Sequence, residues 1–147
     1  MRLIPTAALF TLLLASAASA AEPSVVGRWQ TIDDETGKPK AIIVIQEENG
    51  KLSGKIERLF RAPEEEQDPR CDKCSGPLEG KPIIGMVILR DLEKDGDEWT
   101  GGTILDPANG KTYSCKVELE DGGKKLKVRG YLGISLLGRT QHWVRAD

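Results

Sequence analysis

The chain has 147 residues, 30% of them charged and only 5% aromatic, with a formal net charge of −2. That length suits one domain with a proper core, and the acidic balance offers no sustained basic face to nucleic acid. Charge breaks every apolar run after the first, so no later segment is apolar enough to span a bilayer.

The first apolar run reads as a leader. Arg2 is followed by an apolar stretch from Leu3 to Ala15 and then by Ala18-Ser19-Ala20. These are the basic, hydrophobic and small-x-small parts of a secretory signal peptide, with cleavage expected after Ala20. The apolar part falls short of the ~20 residues a transmembrane helix needs. No cysteine at the cleavage site offers a lipid attachment point. Residues 1–20 are therefore expected to be a signal peptide, and 21–147 a single periplasmic or secreted domain.

The remainder alternates with period two, the signature of half-buried strands. Strands are predicted at Val25–Ile32, Ala41–Gln46, Leu52–Phe60, Ile83–Leu89, Glu98–Leu105, Tyr113–Leu119, Lys125–Leu132 and Gly138–Arg145. Glycine-, asparagine- and aspartate-rich turns separate most of them. Asn49-Gly50 supplies the positive φ angles of a type I′ hairpin. Glu93–Asp97 reads as the turn before the fifth strand. Tyr113, Cys115, Val117 and Leu119 share one face of the sixth. The fold class is all-β, an eight-stranded antiparallel barrel with a mostly up-and-down meander. A β-sandwich is the rival. With Phe60, two tyrosines and three tryptophans as the large rings after the leader, some internal space is expected.

Gly27-Arg28-Trp29 begins the barrel and Gly138-Arg139-Thr140-Gln141-His142-Trp143-Val144-Arg145 ends it. First and last strands of a closed antiparallel barrel are neighbours, so a tryptophan on one can stack under an arginine on the other. Gly27, Trp29 and Arg139 are the expected closing set. Arg139 shares a strand face with Gln141, Trp143 and Arg145. Arg129, Arg139, Arg145 and Trp143 are the candidate ligand-binding residues, an arginine offering its planar fork to a carboxylate. Without Arg2 the charge is −3. Six basic residues from Lys124 onward, against Asp147, give that tail +5 and leave −8 on residues 21–123.

The longest connection, Arg61 to Pro82, holds Cys71-Asp72-Lys73-Cys74. In an oxidising compartment this spacing favours a local disulfide that pins the loop. A redox motif would want the first cysteine at a helix N-terminus, whereas Ser75-Gly76-Pro77 follows and Glu64-Glu65-Glu66 precedes. Cys115 reads as a buried, inert thiol, and sequence leaves open its bridging to either loop cysteine. Cys71, Cys74, Cys115 and His142 match no familiar zinc spacing. Asp91-x-Glu93-x-Asp95-Gly96 imitates the start of an EF-hand loop, but its twelfth position is Gly102. Gly133–Leu137 is no nucleophile elbow. No metal, cofactor or acid–base–nucleophile set is expected, and a binding protein is favoured over an enzyme.

Together Gly27-x-Trp29, Ile83-Ile84-Gly85, Trp99-x-Gly101-Gly102-x-Ile104-Leu105-Asp106-Pro107-x-x-Gly110-x-x-Tyr113, Gly130-Tyr131-x-Gly133 and the Gly138–Arg145 run resemble a bacterial family of small exported proteins catalogued as a domain of unknown function. The paired cysteines of that family match Cys71 and Cys74. The resemblance implies a lipocalin-like (calycin-type) barrel in the periplasm and no catalytic residues. A small hydrophobic or anionic amphipathic ligand, such as a fatty acid or lipid fragment, is the expected partner. The alternative is a cell-envelope protein-interaction module with a filled barrel, and thiol–disulfide chemistry at the Cys71/Cys74 loop is the third reading.

Overall fold

The computed structural model describes residues 2–3, 5, 11–15, 22–134 and 137–147. The expected cleavage site at Ala18–Ala20, and Ser135 and Leu136 of the dismissed elbow, lie outside them. Among the described residues no helix is long and apolar enough to cross a membrane.

Eight strands follow in order: β1 (Gly27–Ile32), β2 (Pro39–Glu48), β3 (Lys51–Leu59), β4 (Val87–Asp95), β5 (Glu98–Asp106), β6 (Lys111–Glu120), β7 (Lys125–Tyr131) and β8 (Gly138–Arg145). Each pairs antiparallel with the next, and β8 returns to β1 through Trp29↔Arg145 and Gln30↔Val144, closing the barrel. Closure removes the open edges at which strands of other chains could add. The sandwich alternative is therefore excluded.

The hairpin at Asn49-Gly50 has the positive φ values, 53° and 78°, that its sequence predicts, and Glu48 pairs with Lys51 across it. The fourth strand differs from expectation. Ile83–Met86 is not strand: Met86 N–H donates to the Ile83 carbonyl, and Gly85 N–H donates to the carbonyl of Ile56 in β3. At its other end β4 runs through the expected turn, because Glu93, Lys94 and Asp95 pair with Thr100, Trp99 and Glu98. Their charged side chains face solvent, where a strand tolerates them.

Alternation buries one face of every strand, and the interior is unevenly filled. Trp29, Ile45, Leu52, Leu92, Val117 and Leu126 are fully buried and pack the end where β1 begins and β8 finishes. The opposite end is hollow. It is ringed by the β1–β2, β3–β4, β5–β6 and β7–β8 connections.

Candidate functional site

The hollow end holds a cavity of about 540 Å³. That lies within the ~300–1,000 Å³ range of small-molecule sites. Its wall is apolar: Ile43, Ile56, Ile88, Ile104 and Val128 project inward, with Trp143 beside them. Gly130 also faces inward, and its missing side chain enlarges the space; a Cβ there would meet Ile104 and Tyr113 only at ordinary contact distances of 3.5 and 3.6 Å. Internal space, expected from the scarcity of large rings, is present. The filled barrel of the alternative reading does not hold.

The rim is polar. Asp33, Asp34, Lys40, Arg61, Asp106 and Arg139 all reach it. Asp33 serves its own turn: Oδ1 accepts from the Glu35 and Thr36 amides, both at 2.9 Å, and these bonds hold its carboxyl below the ordinary value. Asp106 Oδ1 accepts from the Ala108 amide at 2.9 Å. Asp34 pairs with Arg139. Arg61 meets Glu65 at 3.5 Å through Nη2, while its Nε is buried without a hydrogen-bond partner among the described residues. Lower down, Trp143 Nε1 donates to Gln141 Oε1 at 3.0 Å.

Of the four sequence-predicted binding residues, two lie at the cavity. Arg139 is at the rim and Trp143 is in the wall. Arg129 is not in the cavity lining. Val128 and Gly130 take the inward positions of β7, so period two sends Arg129 outward, where Nη1 donates to Thr140 Oγ1 at 2.8 Å. Arg145 is also absent from the lining and lies at the packed end, 4.1 Å from the Trp29 ring centroid. The arginine over Trp29 is thus Arg145 and not the expected Arg139. Trp29 pairs with Arg145 across the β1–β8 seam, whereas Arg139 pairs with Gly130 near the other end of β8. Gly27, φ 140°, leaves room for this arginine; a Cβ there would come within 2.6 Å of Arg145 Nη1.

Sequence reasoning missed Arg61 and the polar atoms of Gln141. Gln141 carried a signal, its place on the inward face of β8. Arg61 carried none, because it stands just beyond β3 in an irregular connection.

Cys71 and Cys74 are joined as a disulfide, and Cys115 is free and buried. Burial pushes the Cys115 thiol up to about 12. The disulfide loop packs on the β5–β6 turn at the rim: the Cys71 sulfur is 3.6 Å from the Pro107 carbonyl, and a Cβ on Gly110 would collide with Lys73 O. Both bridged cysteines are buried, which denies an incoming thiolate the access that exchange requires. His142 faces outward, its Nδ1 2.7 Å from Glu120 Oε1.

A family model described as "Uncharacterized protein conserved in bacteria (DUF2147)" matches residues 27–145, the whole barrel. The chain belongs to this family. The DUF2147 barrel is lipocalin-like: it superposes on protein HP1028 from the human pathogen Helicobacter pylori, which belongs to the lipocalin family, with a TM-score of 0.71. The two are 23% identical over 85% of this chain and 84% of the other, a likeness of fold. No curated protein matches the chain.

Proposed function

We propose that the protein is an exported carrier or receptor that binds a small hydrophobic or amphipathic molecule, such as a fatty acid or lipid fragment, in the open half of its barrel. The observation that carries this reading is the 540 Å³ cavity with an aliphatic wall and a polar rim. An apolar body gains free energy by leaving water for such a wall, at roughly 25 cal/mol per Å² of surface buried. A polar head stays at the rim, where Lys40, Arg61 and Arg139 supply positive charge. The leader at residues 1–20 supports placement in the periplasm or outside the cell.

Native mass spectrometry of the purified protein, before and after delipidation, tests the reading. A bound small molecule, lost on delipidation and restored with a rise in melting temperature by added fatty acid, is the expected result. No bound species and no melting shift across a lipid panel would overturn it.

A further inference from the structure

We infer that the cavity recognises its ligand at two points, a carboxylate at Arg61 and an oxygen acceptor deeper down at Gln141, and so selects an oxygenated carboxylic-acid amphiphile over a plain alkyl chain. This rests on the binding reading above and narrows its ligand class.

The first point is an orphaned donor. Arg61 lines the cavity with a part-exposed side chain, and its Nε, itself closed off from solvent, has no acceptor among the described residues. The neighbouring carboxylates are committed elsewhere. Asp33 and Asp106 hold turn amides, and Asp34 holds Arg139. Glu65 accepts from the Ala62 amide through Oε1 at 3.0 Å and reaches Arg61 only at Nη2. That 3.5 Å separation is well beyond the ~2.7–2.9 Å of a charge-assisted hydrogen bond. A buried donor without an acceptor is unfavourable, and a carboxylate fits the flat edge of a guanidinium. Carboxylates already surround the rim, so a monoanion meets less repulsion there than a dianionic phosphate.

The second point is fixed by a neighbour. An indole N–H only donates, so the Gln141 atom facing Trp143 Nε1 is the amide oxygen. The amide nitrogen therefore remains, with no partner among the described residues. Gln141 stands on the inward face of β8 two residues beyond Arg139, about 6–7 Å further along the strand. A plain alkyl chain laid past it would strip water from those N–H groups and offer nothing in return. A keto or hydroxyl oxygen in the chain accepts from them.

The test measures binding of decanoic acid, a mid-chain keto-decanoic acid and decanol by calorimetry. Wild type is compared with Arg61→Lys, which keeps the charge but loses the guanidinium fork, and Gln141→Met, which keeps the length and a weak acceptor for Trp143 but loses the donor. In wild type the keto acid is expected to bind most tightly and decanol most weakly, with about tenfold per step. Arg61→Lys should weaken both acids about tenfold and decanol much less. Gln141→Met should erase the preference for the keto acid over decanoic acid, with an unchanged melting temperature of the ligand-free protein reporting an intact fold. Equal binding of acid and alcohol by wild type, no effect of Arg61→Lys, or a keto preference that survives Gln141→Met would each overturn the inference. If all three compounds bind equally, the cavity reading stands and this one falls. If none binds, both fall.

Discussion

The Arg145 guanidinium lies 4.1 Å from the centre of the Trp29 ring and joins the last strand to the first. It also donates to three backbone carbonyls: Nε to Gly123 at 3.1 Å, Nη1 to Val26 at 3.1 Å and Nη2 to Ser24. One side chain thus ties the N-terminal approach, the β6–β7 turn and the barrel seam together. Trp29 completes the plug by donating from Nε1 to the Val25 carbonyl at 2.9 Å.

Arg145→Ala should therefore destabilise the barrel by about 2–4 kcal/mol, combining the lost cation–π contact with the lost carbonyl contacts. Arg145→Lys should recover only part, since an ammonium cannot reproduce the fork. Urea unfolding followed by tryptophan fluorescence measures both. Ligand affinity of the folded variants should not change, because Arg145 is absent from the cavity lining.

Gly130 offers a way to fill the cavity without disturbing the sheet. Gly130→Leu is expected to weaken binding of any cavity ligand by about tenfold or more while changing stability by less than ~1.5 kcal/mol. Calorimetric titration alongside thermal unfolding separates the two effects. A loss of stability with unchanged affinity would contradict the position of the ligand.

Thiol counting checks the cysteine assignment. Denatured but unreduced protein should expose one thiol, Cys115, and reduced protein all three cysteines. In the native state a thiol reagent should find none, because Cys115 is buried. The raised thiol pKa has a sign. The folded state holds its proton more tightly than the unfolded one, so stability is intact below the ordinary thiol value of 9.0 and falls as pH rises toward about 12. Cys115→Ala should flatten that alkaline fall.

The Cys71–Cys74 bridge closes a very short ring, so its loss should cost only ~2 kcal/mol by the loop-entropy relation. The double variant Cys71→Ser/Cys74→Ser should show its main effect at the rim, since the loop packs against Pro107 and Gly110. Amide hydrogen exchange is expected to quicken in residues 69–83 and 106–110 and to stay slow in β7.

At acid pH the β1–β2 turn should loosen before the barrel does. The Asp33 carboxyl is lowered from 3.8 by the Thr36 and Glu35 amides, so its contribution is present above that value and disappears as pH falls through the lower folded value. An NMR titration of the Glu35 and Thr36 amides follows it, and Asp33→Asn should remove the inflection.

Period-two alternation and turn chemistry by themselves determined the strand count, the meander order and the Asn49-Gly50 hairpin, because both are local properties of the backbone. Paired cysteines three apart in a loop likewise indicated their bridge. The boundaries of β4 were not legible. The backbone bonds that bend Ile83–Met86 run partly to Ile56 on another strand, and the pairing of Glu93–Asp95 depends on β5.

Only the tertiary structure decided which arginine does what. Three arginines on β7 and β8 look alike in sequence, but the seam register sets Arg145 on Trp29, the pleat turns Arg129 outward, and the far end of β8 carries Arg139 to the rim. The cavity, too, is a remainder. It exists because the large buried side chains collect at one end of the cylinder, and no single residue encodes that distribution. Arg61 gained its place because the chain leaving β3 crosses the mouth, a consequence of where the strands end in space.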